Sequence, residues 1–184
     1  MSIRASLYVG SGAKAKAVSE AKTWLPLLWL ALPSADDVAR GIKTGCIESQ
    51  RAEAVKRLTT ALPFFEGLFP EFSQLPEYAS ELLAILRRSR SATITIEMGD
   101  HFAIAEDTFP VALTTTVGAI EARDPKCSLN VPAREIANPF GGKPLTIKEL
   151  KLINTRDVVS FTAGINLATK EKDIIRDYLV GYLG

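Results

Sequence analysis

Apolar and polar residues alternate over residues 3–9. Ile3, Ala5, Leu7 and Val9 fall on one side, and Arg4, Ser6 and Tyr8 on the other. A period of two with the polar half outward predicts a half-exposed strand. The Ala- and Lys-rich stretch from Ala13 to Lys22 reads as a short helix. "TWLPLLWLALPS" is apolar all round, which predicts a buried helical segment with Pro26 tolerated in its first turn. Ser34 then stands as an N-cap to "ADDVARGI", with Asp36 and Asp37 near the positive end of the helix dipole. From about Ser49 to Leu62, the apolar Ala54, Val55, Leu58 and Leu62 recur at three- and four-residue spacing, opposite Lys56 and Arg57. "PFFEGLFPEF" carries the same period until Pro70. Pro76 and Glu77 open a further helix through about Arg88, with Tyr78, Leu82, Leu83, Ile85 and Leu86 on its apolar side.

Beyond residue 90 the pattern changes. "ATITIEM" alternates as a strand, Gly99-Asp100 is a turn signal, and "HFAIAED" reads as the return strand of a hairpin. In "TFPVALTTTVGAIEA" three consecutive threonines fit a strand, but Phe109, Leu113, Val117 and Ile120 favour a helix capped by Thr108. Pro125, Pro132, Pro139 and Pro144 punctuate a loop-rich region. "TIKELKLI" fits either element and "DVVSFTAGI" reads as a strand. "TKEKDIIRDYLVGYL" closes the chain as an amphipathic helix capped by Thr169, with Ile174, Ile175, Tyr178, Leu179 and Leu183 inward. Helices are thus expected to concentrate in residues 13–90, with antiparallel strands at the N-terminus and in the second half and the amphipathic helix at the C-terminus. That segregation points to α+β rather than a doubly wound sheet.

Composition narrows the classes. A chain of 184 residues with 47% hydrophobic content can bury an ordinary core and suits a single domain, residues 1–184. Lys plus Arg is 22 against 21 for Asp plus Glu, a net charge of +1. The global basic field that nucleic acid attracts is absent, which argues against a nucleic-acid partner. "MSIRASLYV" is no secretory signal, and the longest apolar run, Trp24 to Leu32, is nine residues. Roughly 20 are needed to span a bilayer. Cys46 and Cys127 lie 81 positions apart, without C-x-x-C spacing. A cytoplasmic protein with two free thiols and no membrane segment is the expectation.

"LYVGSGAKAK" spells G-x-G-x-x-A after a strand, with Gly10, Gly12 and Lys14 as the candidate phosphate-binding residues. Three features oppose a dinucleotide. The strand is half polar, no acidic second strand follows some 20 residues on, and more helix succeeds it. Nor does a Ser or Thr follow Lys14 as in a P-loop. No cofactor is expected. His101, the one histidine, lies in "EMGDHFAIAED" beside Glu97, Asp100 and Glu106. Across a hairpin these groups would suit acid–base work or a divalent metal, the alternative being solvated turn residues. Metal sites needing two histidines are excluded. "LRRSRS" ends a helix, where the dipole favours cations, with phosphate binding as the sharper alternative. "NPFGGKP" reads as a turn, or as an anion-binding nest. Trp24 and Trp29, with Phe64 and Phe69, supply more apolar surface than one element commonly buries. They are the candidate partner face, by self-association or with another protein, against the simpler alternative of core.

The succession "MSIRASLYV", "WLPLLWLALPS" and "YASELLAIL" leading into "ATITIEM" resembles a group of small uncharacterised bacterial proteins. These open with an Arg-plus-aromatic strand and carry a Pro-Leu-Leu helix soon after. The resemblance covers the first half of the chain. It implies an immunity-like or interaction protein, and carries over no activity and no site residue. The reading is therefore a cytoplasmic α+β protein that binds a protein partner, immunity-like or regulatory. An enzyme or metal-binding protein using His101 stands second, and a phage or mobile-element structural protein third.

Overall fold

The computed structural model describes residues 3–104, 109–123, 135–136, 145–146, 155–164 and 172–184. The opening alternation becomes strand β1 (Arg4–Val9). Gly10 and Gly12, both at positive φ, then carry the chain through a 3-10 turn, Gly12–Lys14, into strand β2 (Lys16–Lys22). The helix expected over residues 13–22 is thus a strand, antiparallel to β1. Its register slips by one: Leu7 faces Ser19 but Tyr8 faces Ala17. Val18 is the extra residue of a β-bulge, and Val18 and Ser19 are both buried. The bulge destroys the period of two and leaves a text that looks helical.

Three further strands complete the main sheet: β3 (Cys46–Gln50), β4 (Thr93–Glu97) and β7 (Tyr182–Leu183). The strand order is β3-β4-β1-β2-β7, with every pairing antiparallel. A separate two-residue pair joins β5 (Glu135–Ile136) to β6 (Leu145–Thr146). One face of the main sheet presents Ala5, Leu7, Val9, Ile47, Ile94 and Ile96, all buried under the helical layer. The chain is an α+β protein.

The helices follow from their apolar spacing. Helix α1 (Ala35–Gly41) begins with a capping box in which Ser34 Oγ accepts from the Asp37 amide and Asp37 accepts from the Ser34 amide. Gly41 lies against β3, where an added Cβ would stand 2.3 Å from the Cys46 carbonyl oxygen. Helix α2 (Arg51–Leu68) follows β3 without a linker and contains Pro63. Its Ala54, Leu58, Ala61 and Phe65 face the core. Helix α3 (Leu75–Arg88) buries Leu75, Ala79, Leu82, Leu83 and Leu86, and Pro76 falls in its first turn. "WLPLLWLALPS" forms a 3-10 helix, Leu27–Ala31, with every residue buried.

"HFAIAED" is not the return strand of a hairpin. Its first residues belong to helix α4 (Gly99–Ile104). β4 is already flanked by β1 and β3, so its edges offer no place to a returning strand. Helix α5 (Phe109–Ala122) forms as its apolar spacing predicts, and the hydroxyls of Thr114 and Thr116 donate back to the carbonyls of Pro110 and Ala112. Of "DVVSFTAGI", expected as a strand, Ile165 lies outside the described residues and residues 157–163 lie in helix α6 (Thr155–Ala163). There Thr155, Val159 and Ala163, four residues apart, are buried. Helix α7 (Lys172–Leu179) buries Ile175, Tyr178 and Leu179 and leads into β7. Among the described residues no helix is long and apolar enough to cross a membrane.

Asp37 ties α1 to the layers around it. It accepts from Ser49 Oγ at 2.8 Å and from Arg57 at 3.0 Å, and it pairs with Arg40. Burial alone would raise its pKa. The hydrogen bonds from Ser34 and Ser49 and the Arg57 charge outweigh burial and hold the carboxyl below the ordinary range.

Candidate functional site

The outer face of the sheet is the polar half of the same alternation that builds the core. Because directly opposed residues of antiparallel strands share a face, the register defines its rows. One runs across all five strands as Cys46, Glu97, Ser6, Glu20 and Tyr182. The next is Glu48, Thr95, Tyr8 and Ala17, followed by the pair Gln50 and Thr93. Arg4 and Lys22 face one another at the border. Glu20, Glu48, Glu97, Gln50 and Tyr182 are exposed, and Ser6, Tyr8, Thr93 and Thr95 are half-buried among them. The bulge in β2 serves this face as well as the core. After the two inward residues Val18 and Ser19, it returns Glu20 and Lys22 to the outside.

Glu20, Glu48 and Glu97 make the face acidic, and among its described residues Arg4 and Lys22 at the border are basic. Its field registers on Cys46. Partial burial first, then the carboxylates of Glu97 and Glu48, push the thiol pKa up. A thiol held protonated is a poor nucleophile. The arrangement suits non-covalent contact: charged groups in the open, two tyrosines, and hydroxyls between them.

The residues singled out from the sequence are dispersed. Gly10, Gly12 and Lys14 belong to a turn between antiparallel strands, so no helix N-terminus stands ready for a phosphate. His101 is buried at 8% exposure, not at an exposed turn, and stacks on Phe109 with ring centroids 5.1 Å apart. Its Nε2 has no hydrogen-bond partner among the described residues. Glu97 is exposed on the sheet face, and Asp100 accepts from the Arg4 amide at 3.0 Å. Glu106 lies outside the described residues, as do Thr108, Cys127, Thr169 and "NPFGGKP". Among the described residues, no group of three or more His, Cys, Asp or Glu side chains converges as metal ligands would.

Trp29 and Phe69, each 1% exposed, are inside the core and unavailable to a partner. Trp24 and Phe64 are half-buried: Trp24 meets Tyr178 edge-on at 5.7 Å, and Phe64 tilts against Phe65. Arg87 and Arg88 of "LRRSRS" are exposed in the last turn of α3. Half of the sheet face, on β1 and β4, was visible in the alternating text. Glu20, Glu48 and Tyr182 lay in segments read as helix or left unassigned.

Comparison of the chain with protein-family models, curated proteins and solved structures finds no match to any of them.

Proposed function

We propose that this chain works by binding another protein, as an immunity-like or regulatory protein does, and that the partner sits on the outer face of the main sheet. The observation that carries this reading is the row Cys46–Glu97–Ser6–Glu20–Tyr182. It sets polar and aromatic groups side by side across the whole width of the sheet. Charge selects the occupant. Three exposed carboxylates, Glu20, Glu48 and Glu97, call for a surface presenting Lys and Arg. Two copies of this face would oppose carboxylate to carboxylate, so a heterologous basic partner is favoured over self-association. The resemblance in the first half of the chain supports the same class.

The test is affinity capture with the tagged chain, purification of the captured protein, and calorimetry on the pair. Glu48→Lys with Glu97→Lys should weaken binding about 100-fold or more, since like-charge contacts cost several kcal/mol. Glu66→Lys, the same charge change on the exposed side of α2, should leave affinity within about two-fold. Equal effects from the two sites would remove the sheet face from consideration. If no purified candidate binds with a Kd below about 10 μM, the binding reading itself fails.

A further inference from the structure

At the β7 edge of the sheet the chain makes a strained turn. Thr23, a β-branched residue, sits at φ +76°, and its amide donates to the Ile3 carbonyl at 2.7 Å. Such a conformation persists only where the surroundings over-determine it. Here it directs Trp24 against α7. The Trp24 ring lies so close to Gly164 that an added Cβ there would come within 2.2 Å of it. Trp24 meets Tyr178 edge-on. Tyr182 stands at 55% exposure, and its hydroxyl donates to Asp177 at 2.7 Å. Lys22, Trp24, Asp177, Tyr178 and Tyr182 enclose a cavity of about 200 Å³. That is more than ten times the roughly 10–15 Å³ that one water requires.

The chemistry of these walls favours a weakly hydrated cation. Ring faces carry the negative end of the aromatic quadrupole, and Trp attracts cations most strongly. Asp177 supplies a negative charge in the lining, and Glu20, the cross-strand neighbour of Tyr182, stands beside the lining residues. Among the described residues that line the cavity, the positive group is the Lys22 ammonium, which stands 6.0 Å from the Tyr182 ring centroid on an exposed, flexible side chain. We propose that this cavity binds an organic cation, a guanidinium or methylated ammonium group, and that the Lys22 ammonium is the internal occupant it displaces. The group can come from a free small molecule or from a side chain of a polypeptide. This site does not depend on a partner occupying the sheet face.

The test follows the two tryptophan indole N–H resonances by NMR in the full chain. The probes are tetramethylammonium chloride and N-acetyl-arginine amide, with sodium chloride as the ionic-strength control. The Trp24 signal should shift saturably with both organic cations and not with sodium, while that of the buried Trp29 stays still. Lys22→Met should tighten binding about five-fold and Asp177→Asn should weaken it by a similar factor. Tyr182→Ala should abolish it, with Tyr182→Phe as the variant that keeps the ring. A short Arg-containing peptide that binds more tightly than N-acetyl-arginine amide would assign the group to a polypeptide; equal affinity would assign it to a free molecule. No saturable Trp24 shift in Lys22→Met, or weaker binding in that variant, would overturn the proposal. Tyr182 and Lys22 also border the sheet face, so the two readings are separated by Glu48→Lys with Glu97→Lys, which lie outside the cavity lining and should leave the Trp24 shift unchanged.

Discussion

His101 shows what burial does to one residue. Its ring lies against Phe109 with Nε2 unpartnered among the described residues, so adding a proton would place a charge where no described acceptor takes its hydrogen bond. Burial therefore pushes its pKa from the ordinary 6.5 down to about 4, against the opposing pull of the Asp100 carboxylate. Between these values the unfolded chain binds a proton at His101 and the folded chain does not. Stability is then fully present above about pH 6.5 and is lost as pH falls through the folded pKa. The loss from this residue should reach roughly 3 kcal/mol. Urea unfolding between pH 7 and pH 4 checks this: His101→Phe, which keeps the ring and cannot titrate, should flatten the dependence. An unchanged slope in that variant would place the acid sensitivity elsewhere. A residue expected at an exposed turn is instead buried against an aromatic ring, with a titratable edge.

At the scale of elements, the close approach of α1 to β3 rests on Gly41. The Cys46 carbonyl oxygen and the Ile47 Cα would stand 2.3 and 2.9 Å from a Cβ at this position, and both belong to backbone that cannot rotate aside. Gly41→Ala should therefore separate helix from strand and destabilise the fold by about 2–3 kcal/mol, an overpacking cost that exceeds the helix-propensity gain of Ala. Denaturant midpoints at constant m-value would measure it. A neutral or stabilising outcome would mean that α1 rides freely over β3.

The same elements explain what was legible beforehand. β1 and β4 could be read with both faces assigned, because each alternates without interruption. α3 was legible because its apolar residues keep helical spacing from Leu75 to Leu86. β2 was hidden by its bulge, and β3 by its five residues running directly into α2. α6 was misread because Val158, Val159 and Thr162 carry β propensity. Buried positions at 155, 159 and 163 let packing against neighbouring helices override that propensity. Half of the outer face was consequently readable from β1 and β4. The rest required the pairing of strands distant in sequence, which no local period encodes.

For the whole molecule, the decisive contact is the one that closes the chain's end onto its beginning. The Val180 carbonyl accepts two buried hydrogen bonds, from Ser19 Oγ at 2.7 Å and from Trp29 Nε1 at 3.1 Å. Gly181 at φ +73° then brings the backbone so close to Glu20 that a Cβ would stand 2.5 Å from its carbonyl oxygen. β7 can pair with β2 only because the chain turns there. Trp29 is thus a core residue with one polar duty, which accounts for a tryptophan inside an otherwise aliphatic segment. Removing either donor leaves the carbonyl with the other, so Ser19→Ala and Trp29→Phe should each cost about 1–2 kcal/mol. Removing both leaves a buried acceptor unpaired, a penalty that neither single variant incurs. The double variant should therefore lose about 1 kcal/mol more than the sum of the singles. Hydrogen exchange should show why: the Gly184 amide, bonded to the Val18 carbonyl at 3.1 Å, should lose protection before the amides of β1 and β4 do. Strictly additive losses with Gly184 still protected would show that β7 is held by its strand pairing, and that the Val180 carbonyl does not close the molecule.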